Sequence, residues 1–339
     1  MKKTLVVDGN CILQIGFHGV KNVYNKDKHL GALYHFILTL QKHLLEKNYD
    51  KVVVFWDGPK SNHFRKEIYP SYKANRKKRM DDERFQSMME QKNRISEYLE
   101  ELFIRQCQFQ YCEADDGIAY YCQITPKEEK TIISSDKDLI QLINKKVTQY
   151  LPRKKEYVKH GSMVKIGKQQ IPVTNIVLFK LLTGDKSDNI EGISYLGEKT
   201  LFNLFPELAE KEINLEFVLD RSKKLKDTTN KNKKAIINIL EGVTKSGERG
   251  DEFYKTNRRL IDLSIPFLTE EAKEEITSIS KLPLDPTDRR IENVIEMTLR
   301  DGLNKFLPQK DNAWLDFFEP FIELIKKETY NFKNKRNGK

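Results

Sequence analysis

Thr4-Leu5-Val6-Val7-Asp8, Lys51-Val52-Val53-Val54-Phe55-Trp56-Asp57 and Lys130-Thr131-Ile132-Ile133-Ser134-Ser135-Asp136 are short apolar runs, rich in β-branched residues, and each ends in an aspartate. They are too short for helices, and they lack the polar alternation of a half-exposed strand. They therefore predict parallel strands covered on two faces. Helical periodicity fills the intervals, over Leu30 to Leu45, Glu83 to Phe103 and Ala114 to Gln123. Strand and helix in alternation give the α/β class with an open parallel sheet. In such sheets ligands bind beyond the carboxyl ends of the strands, where Asp8, Asp57 and Asp136 fall.

Further carboxylates gather around these three. Glu113-Ala114-Asp115-Asp116 opens a predicted helix, and Asp138 follows Asp136 at a strand-to-helix turn. Asp185 and Asp188 share one face if Thr183 to Asn189 is helical. A single aspartate in such a place reads as a helix cap or a turn residue. Capping does not explain three successive strands ending in Asp together with paired acids in two further places. So many like charges raise one another's pKa and destabilise the site unless a cation joins them. An all-oxygen ligand set suits hard divalent ions, so Mg²⁺ or Mn²⁺ is expected rather than Zn²⁺.

The 60 basic and 50 acidic residues leave a net charge of +10, which favours polyanionic partners. Basic residues concentrate after Asp57, where Lys60, Arg65, Lys66, Lys73, Arg76, Lys77, Lys78 and Arg79 interleave with Phe64, Tyr69 and Tyr72. Cations that track phosphates and rings that stack on bases suit a single strand, although a solvated helix with inward tyrosines gives the same pattern. From Gly184 to Thr200 glycines bracket a turn between two short helices, a shape that presents backbone N–H groups to a phosphate. A small hairpin is expected between about Pro152 and Ile171, and mainly helical chain after Pro172, with a frayed end over Lys326 to Lys339. The domain expectation is residues 1–172 as an α/β unit carrying a basic arch (about 59–94), and 173–339 as a helical unit. The four cysteines show no metal or disulfide spacing, and no apolar run approaches the roughly 20 residues that span a bilayer. Met1-Lys2-Lys3 leads into a strand, not a signal peptide, so a cytoplasmic location is expected.

The order Val7-Asp8-Gly9, Asp57, Phe64-Arg65 with Tyr72-Lys73-Ala74-Asn75-Arg76, Glu113-Ala114-Asp115-Asp116, Ser134-Ser135-Asp136-Lys137-Asp138 and Gly184-Asp185-Lys186-Ser187-Asp188-Asn189-Ile190 resembles the 5′-nuclease family of flap endonucleases and polymerase-associated 5′ exonucleases. Within it the chain is most similar to a phage ribonuclease H branch that removes RNA primers and adjoining DNA. The resemblance implies a PIN-like parallel sheet with a helical arch, followed by a helical domain with a helix-three-turn-helix motif over about 183–205. It places Asp8, Asp57, Glu113, Asp115 and Asp116 around one metal ion and Asp136, Asp138, Asp185 and Asp188 around a second. Lys73 and Arg76 match the basic pair that meets the scissile phosphate. Arg65, Lys66 and Tyr72 match further arch contacts, and Gly192, Gly197, Lys199 and Thr200 match the turn that grips the duplex backbone. Tyr195 stands where the family pattern has a second glycine, and Leu196 where it has Ile or Val, which speaks against the K⁺ that this turn often binds.

The implied activity is in-line hydrolysis near a 5′ end, on DNA with a flap, nick or end and on RNA/DNA duplexes, leaving 5′-phosphate and 3′-hydroxyl products. The implied cofactor is two Mg²⁺ ions, with Mn²⁺ as a substitute. A role in lagging-strand synthesis would add a single-strand-binding protein or a sliding clamp as partner of a monomer. Trp314, Phe317, Phe318 and Phe321 are candidates to dock one, or else core. The rivals are a PIN-like ribonuclease, which would not need the basic arch or the Gly192 to Thr200 turn, and a DNA-binding protein with a structural ion.

Overall fold

The computed structural model describes residues 1–76, 81–228, 231–247, 250–309 and 313–336. Strands run β1 (Lys3–Asp8), β2 (Tyr24–Asn25), β3 (Lys28–His29), β4 (Lys51–Trp56), β5 (Arg105–Gln108), β6 (Glu129–Ile133), β7 (Val147–Leu151), β8 (Glu156–Val158), β9 (Met163–Ile166), β10 (Gln169–Pro172), β11 (Gly184–Asp185) and β12 (Ile190–Glu191). Among the helices are α1 (Gly9–Gly19), α2 (Gly31–Glu46), α3 (His63–Ile68), α4 (Asp82–Glu101), α5 (Ala114–Ile124), α6 (Ile176–Thr183) and α7 (Glu198–Leu204). They continue as α8 (Leu215–Thr228), α9 (Lys233–Glu241), α10 (Asp251–Ile261), α11 (Glu270–Lys281), α12 (Ile291–Arg300), α13 (Ala313–Asp316) and α14 (Glu319–Arg336).

The three apolar runs form β1, β4 and β6 at the centre of a sheet ordered β5-β4-β1-β6-β7-β8, parallel throughout except for β8. Their side chains alternate between two cores. Leu5, Val7, Val52, Val54 and Ile133 face a layer that includes α1, α2 and α4, while Val6, Val53, Phe55 and Ile132 face α5 and α11. Burial on two faces explains why these strands are apolar at every position. Strand order reverses at β1, the switch point where a ligand crevice opens. In register, Asp8 lies beside Phe55 and Val7 beside Ile133, so Asp57 and Asp136 follow at the same end of neighbouring strands.

The C-terminal half, expected as one helical unit from residue 173, contributes to three separate cores. Residues from Ile171 to Tyr254 do share a separate core built on α6 to α10. Beyond it the chain returns to the sheet: Leu263, Leu268, Ala272 and Ile276 join one face, and Val294, Met297, Leu303, Phe318, Phe321 and Leu324 the other. The helical unit is thus an insertion, and 173–339 is not one domain. Phe317, Phe318 and Phe321 are core, and the half-buried Trp314 packs against it, so the three phenylalanine rings offer no docking face. The chain end is pinned as well, because Arg105 on β5 forms a buried, two-pronged ion pair with Glu328 of α14 and Lys327 donates to the Tyr49 carbonyl at 2.8 Å. The frayed segment expected from Lys326 is helical to Arg336, and 337–339 lie outside the described residues. Among the described residues, no helix is long and apolar enough to cross a membrane.

Candidate metal and nucleic-acid site

Asp8 ends β1 and caps α1, its Oδ1 accepting from Cys11 N at 2.9 Å and its Oδ2 from Ser134 Oγ at 2.6 Å. Asp57 accepts from Ala114 N at 2.8 Å, at the start of α5, which tethers the Glu113-Ala114-Asp115 turn to the end of β4. Capping and cluster formation therefore coexist. Burial pushes the Asp8 carboxyl up to about 7 against the pull of the Ser134 and Cys11 hydrogen bonds, with Asp57 and Asp136 adding to the rise. Burial likewise raises Asp115 well above the usual range, reinforced by Asp136, Asp8, Asp57 and Glu113. Asp57 and Asp136 reach the surface, yet the crowding of protein around their carboxyls strips enough solvent to raise them too. These carboxylates destabilise one another's charge across the sheet edge, a repulsion that a cation would relieve.

Asp138, Asp185 and Asp188 form a second group, each offering an oxygen within 4.8 Å of the others. Asp138 N donates to Asp136 Oδ1 at 2.8 Å, which joins the two groups along the chain. The stretch from Thr183 to Asn189 is not the helix expected. Gly184, at φ +75, ends α6, and β11 and β12 pair across a tight loop. Any side chain at Gly192 would collide with the Thr183 carbonyl, so the backbones approach too closely for anything but glycine. Asp185 and Asp188 meet because a loop turns them inward. Ser187 donates to Asp185 from N at 2.8 Å and from Oγ at 2.5 Å, and Lys180 of α6 binds Asp138 and Asp185 at once. Burial pulls Asp185 upward, but Lys180 and the Ser187 bonds outweigh it and hold the carboxyl below its ordinary range.

The basic segment splits into inward and outward residues. Arg65, 5% exposed, donates to Asp116 at 2.6 and 3.0 Å, lies 3.1 Å from Glu113, and donates to the Leu260 carbonyl at 3.2 Å. Asp116 is fully buried and also accepts from Phe267 N at 2.9 Å. The expectation of Asp116 as a metal ligand and Arg65 as a strand contact is therefore corrected: they form an internal strut that holds Glu113. Tyr72, 1% exposed, places its hydroxyl 3.1 Å from Glu113 and 3.0 Å from Asp188, so it spans the acids and stacks on no base. Lys73 binds Glu113 and Arg76 binds Asp188 at 2.6 Å, which puts the predicted pair at the carboxylates. Burial raises Glu113, yet Arg65 and then Lys73 hold it low. Lys66 is exposed, and Lys77, Lys78 and Arg79 lie outside the described residues.

The segment 71–76 is latched to the second acidic loop. Lys73 N donates to Asp188 O, Asn75 Nδ2 to Lys186 O and Asn189 Nδ2 to Ser71 O, each at 2.8 Å. Gly197, Lys199 and Thr200 stand at the surface around the start of α7, whereas Gly192 is buried and touches no external phosphate. In the turn expected to bind K⁺, the carbonyls of Ile193 and Ser194 already accept from Leu196 N at 3.2 Å and Asn238 Nδ2 at 3.0 Å. Tyr195 points outward with Lys234 5.3 Å over its ring. The sequence reading missed Ser134, Lys180 and Lys92. Lys92 stands 5.0 Å over the Trp56 ring, where Asp57 partly offsets the lowering that burial imposes on its pKa.

A sheet edge carrying two carboxylate groups under a basic segment defines a metal-dependent phosphodiesterase architecture. A family model described as 5'-3' exonuclease, N-terminal resolvase-like domain, matches residues 3–169. A 5'-3' exonuclease of Halalkalibacterium halodurans is 30% identical over 235 residues, covering 66% of this chain and 75% of that relative. DNA polymerase I of Streptococcus pneumoniae is 32% identical over 250 residues, 71% of this chain but only 27% of the polymerase. The bacteriophage T5 flap endonuclease, solved as a pseudo-enzyme–product complex with DNA and metal ions, superposes with a TM-score of 0.62 at 22% identity, over 83% of this chain and 100% of that one. The chain belongs to the 5'-3' exonuclease family.

Proposed function

We propose that this chain is a divalent-metal-dependent, structure-specific 5′ nuclease that hydrolyses DNA, and RNA paired to DNA, near a free 5′ end. The observation that carries the reading is that the Asp138–Asp185–Asp188 cluster and the mutually repelling acids around Asp8 lie with Lys73 and Arg76 at one sheet edge. The oxygen-only donor set, with raised carboxyls around Asp8 and Asp115, suits two Mg²⁺ ions or Mn²⁺ in their place. Asp8, Asp57, Asp115 and Asp136 would hold one ion with help from Glu113, and Asp138, Asp185 and Asp188 the other. When bound, such ions lower the pKa of water and neutralise charge on the reacting phosphate. The chain's own part is to orient that phosphate. Lys73 and Arg76 are charged clamps that exchange Glu113 and Asp188 for its oxygens, while the Arg65–Asp116 strut and Tyr72 fix the acids beneath them.

The products are a 5′-phosphate and a 3′-hydroxyl. Lys199 and Thr200 would hold the duplex, and removal of RNA primers on a lagging strand, by a monomer in a reducing cytoplasm, is the setting we favour. A clamp or single-strand-binding partner would need a surface other than the C-terminal aromatics. The test is cleavage of 5′-labelled flap, nicked and RNA-primed duplexes with Mg²⁺, with Mn²⁺, and with excess EDTA. Short 5′-labelled products in the two metal lanes and none with EDTA are expected. Full cleavage in EDTA, or products that ignore the 5′ end, would overturn the reading.

A further inference from the structure

The end of α1, the β2–β3 hairpin and the first turns of α4 enclose a cleft of about 470 Å³ that plays no part in the proposed metal chemistry. Its lining includes Phe17, His18, Tyr24 and His29 together with Lys21 and Arg84, and Glu83 is the one acid. The rings form a built wall. Phe17 meets His18 edge-on at 5.4 Å and His29 at 5.5 Å, and Tyr24 tilts over His29 at 5.0 Å. His29 is fixed by the Val20 carbonyl at 2.7 Å and by Gln91 at 3.2 Å, so the floor is ordered in advance. Tyr24 keeps 49% of its surface exposed above that floor, whereas Phe17 keeps 6%. Among the described residues, Lys21 and Arg84 stand in the lining without a salt bridge to any acid.

The place of the cleft is as informative as its lining. Helix α4 is the leg by which the chain returns from the basic segment to the sheet edge, and Lys92 on it stands beside Trp56 and Asp57. Arg84 lies eight residues earlier, about 12 Å along the helix axis. A strand that leaves the carboxylates along this leg reaches the cleft after about two to four nucleotides, at 3.4 Å per stacked residue or more when extended. Half-exposed rings between unpaired cations are what an unpaired base with its flanking phosphates needs. A duplex does not, because its bases already stack on one another.

We propose that this cleft binds a base of the single-stranded 5′ flap, stacked on Tyr24 and His29, with the neighbouring phosphates at Lys21 and Arg84. The inference rests on the 5′-nuclease reading and adds to it a subsite for the strand ahead of the scissile bond. The base confers the affinity and the sequence of the flap does not matter, since every base has a stacking face.

Fluorescence anisotropy of the full chain in EDTA, on nicked duplexes with thymidine flaps from none to about ten nucleotides, reads the subsite directly. The wild type should gain about tenfold in affinity once the flap is long enough to reach the cleft. Tyr24→Ala should lose that gain while binding the flapless nick as the wild type does, which also shows that it is folded. Arg84→Gln should lose part of it, and abasic flap residues should reproduce Tyr24→Ala in the wild type. A length-dependent gain that survives in Tyr24→Ala, that abasic residues leave unchanged, or that depends on a 3′ flap instead, overturns the proposal. Wild-type protein that cleaves no flapped substrate in Mg²⁺ would overturn the nuclease reading instead. Cleavage of flaps with the length dependence intact in Tyr24→Ala would remove only the subsite.

Discussion

The acids around Asp8 and the acids around Asp185 carry the same charges but meet different neighbours. In the first group, Asp8, Asp57, Asp115 and Asp136 repel one another's charge, and the groups that bind Asp8 and Asp57 are uncharged: Cys11 N, Ser134 Oγ and Ala114 N. Their carboxyls are all raised. In the second group, Lys180 bridges Asp138 and Asp185, and Arg76 takes Asp188. Asp185 is lowered, not raised. Lys73 and Lys180 ease Asp57 and Asp136 without bringing them back to the ordinary range, so one group is left in need of positive charge and the other has cations bound to it. A divalent ion thus meets a repulsive cage at the first group and a competitor at the second, and substitutions in the two groups should act in opposite directions.

The largest effect is expected at the first group. Asp115→Asn should cut cleavage by on the order of 10³-fold or more, since it removes a charged ligand at the reacting phosphate. The same change should raise the melting temperature of EDTA-treated protein, because it removes a charge repelled by Asp136, Asp8, Asp57 and Glu113. The pH dependence has the same sign. Asp8 is held at about 7 in the fold against 3.8 in the open chain, so the folded state holds more protons between those values and stability falls as pH rises through that window. Melting scans in EDTA from pH 4 to pH 7, about the span of that shift, should show the decline, and saturating Mn²⁺ should flatten it. A rise in EDTA stability across that range would break the contrast.

Next in size is the strut beside the first group. Arg65→Met strands the buried Asp116 carboxylate and should destabilise the fold by about 3–5 kcal/mol, with or without metal. Asp116→Asn should likewise destabilise, in contrast to its chain neighbour Asp115→Asn. Thermal unfolding of the pair in EDTA decides between a strut and a ligand: if Asp116→Asn is as stable in EDTA as Asp115→Asn, Asp116 belongs to the metal cage after all. A smaller effect is expected at Lys73, which shares Glu113 with that strut. Lys73→Ala should slow single-turnover cleavage by roughly 10²-fold, because the ammonium meets charge that develops only as the phosphate reacts. Duplex affinity should change far less, and a Lys73→Ala protein that loses affinity but keeps its rate would show that the clamp lies elsewhere.

The same physical divide separates the legible parts of the sequence from the hidden ones. β1, β4 and β6 were legible because two-sided burial writes itself into every position. β5, Arg105-Gln106-Cys107-Gln108, sits at the sheet edge with a polar face, and its Arg105 serves an ion pair 223 residues distant that no local pattern announces. Asp115 and Asp116 are adjacent in the chain, yet successive residues on a helix point about 100° apart, so one enters the cage and the other the core. Which does which depends on Arg65, a cation that reads as one more arch residue until the fold turns it inward. The spacing of Asp185 and Asp188 suggested a helical face because a one-dimensional reading does not show the backbone contact between Gly184 and Gly192. Amphipathic helices after Leu263 announce an apolar face but not the partner it covers, so the return of the chain to the sheet was hidden.

The finest test of the contrast is Lys180, which lies in α6 five residues before Asp185 and holds Asp138 and Asp185 together. A divalent ion that binds these two oxygens must displace the ammonium or share them with it, and either cost subtracts from its affinity. Removing the charge while keeping the stem, as in Lys180→Met, leaves three carboxylates with Arg76 as the one cation paired to them among the described residues. The weaker Mn²⁺-binding step should then tighten by about tenfold, equivalent to ~1.4 kcal/mol, while the stronger step, which feels Lys180 only through Asp136, changes less. Stability in EDTA should fall, the reverse of Asp115→Asn, because here the substitution uncovers repulsion instead of relieving it. Lys180→Arg, which keeps the charge, should leave the weaker step close to wild type. Isothermal titration of Mn²⁺ into the three proteins measures both steps without any substrate present. If Lys180→Met binds the weaker ion no more tightly than wild type does, Lys180 does not set the affinity of the second group, and the difference between the two clusters must come from the loop geometry around Ser187 instead.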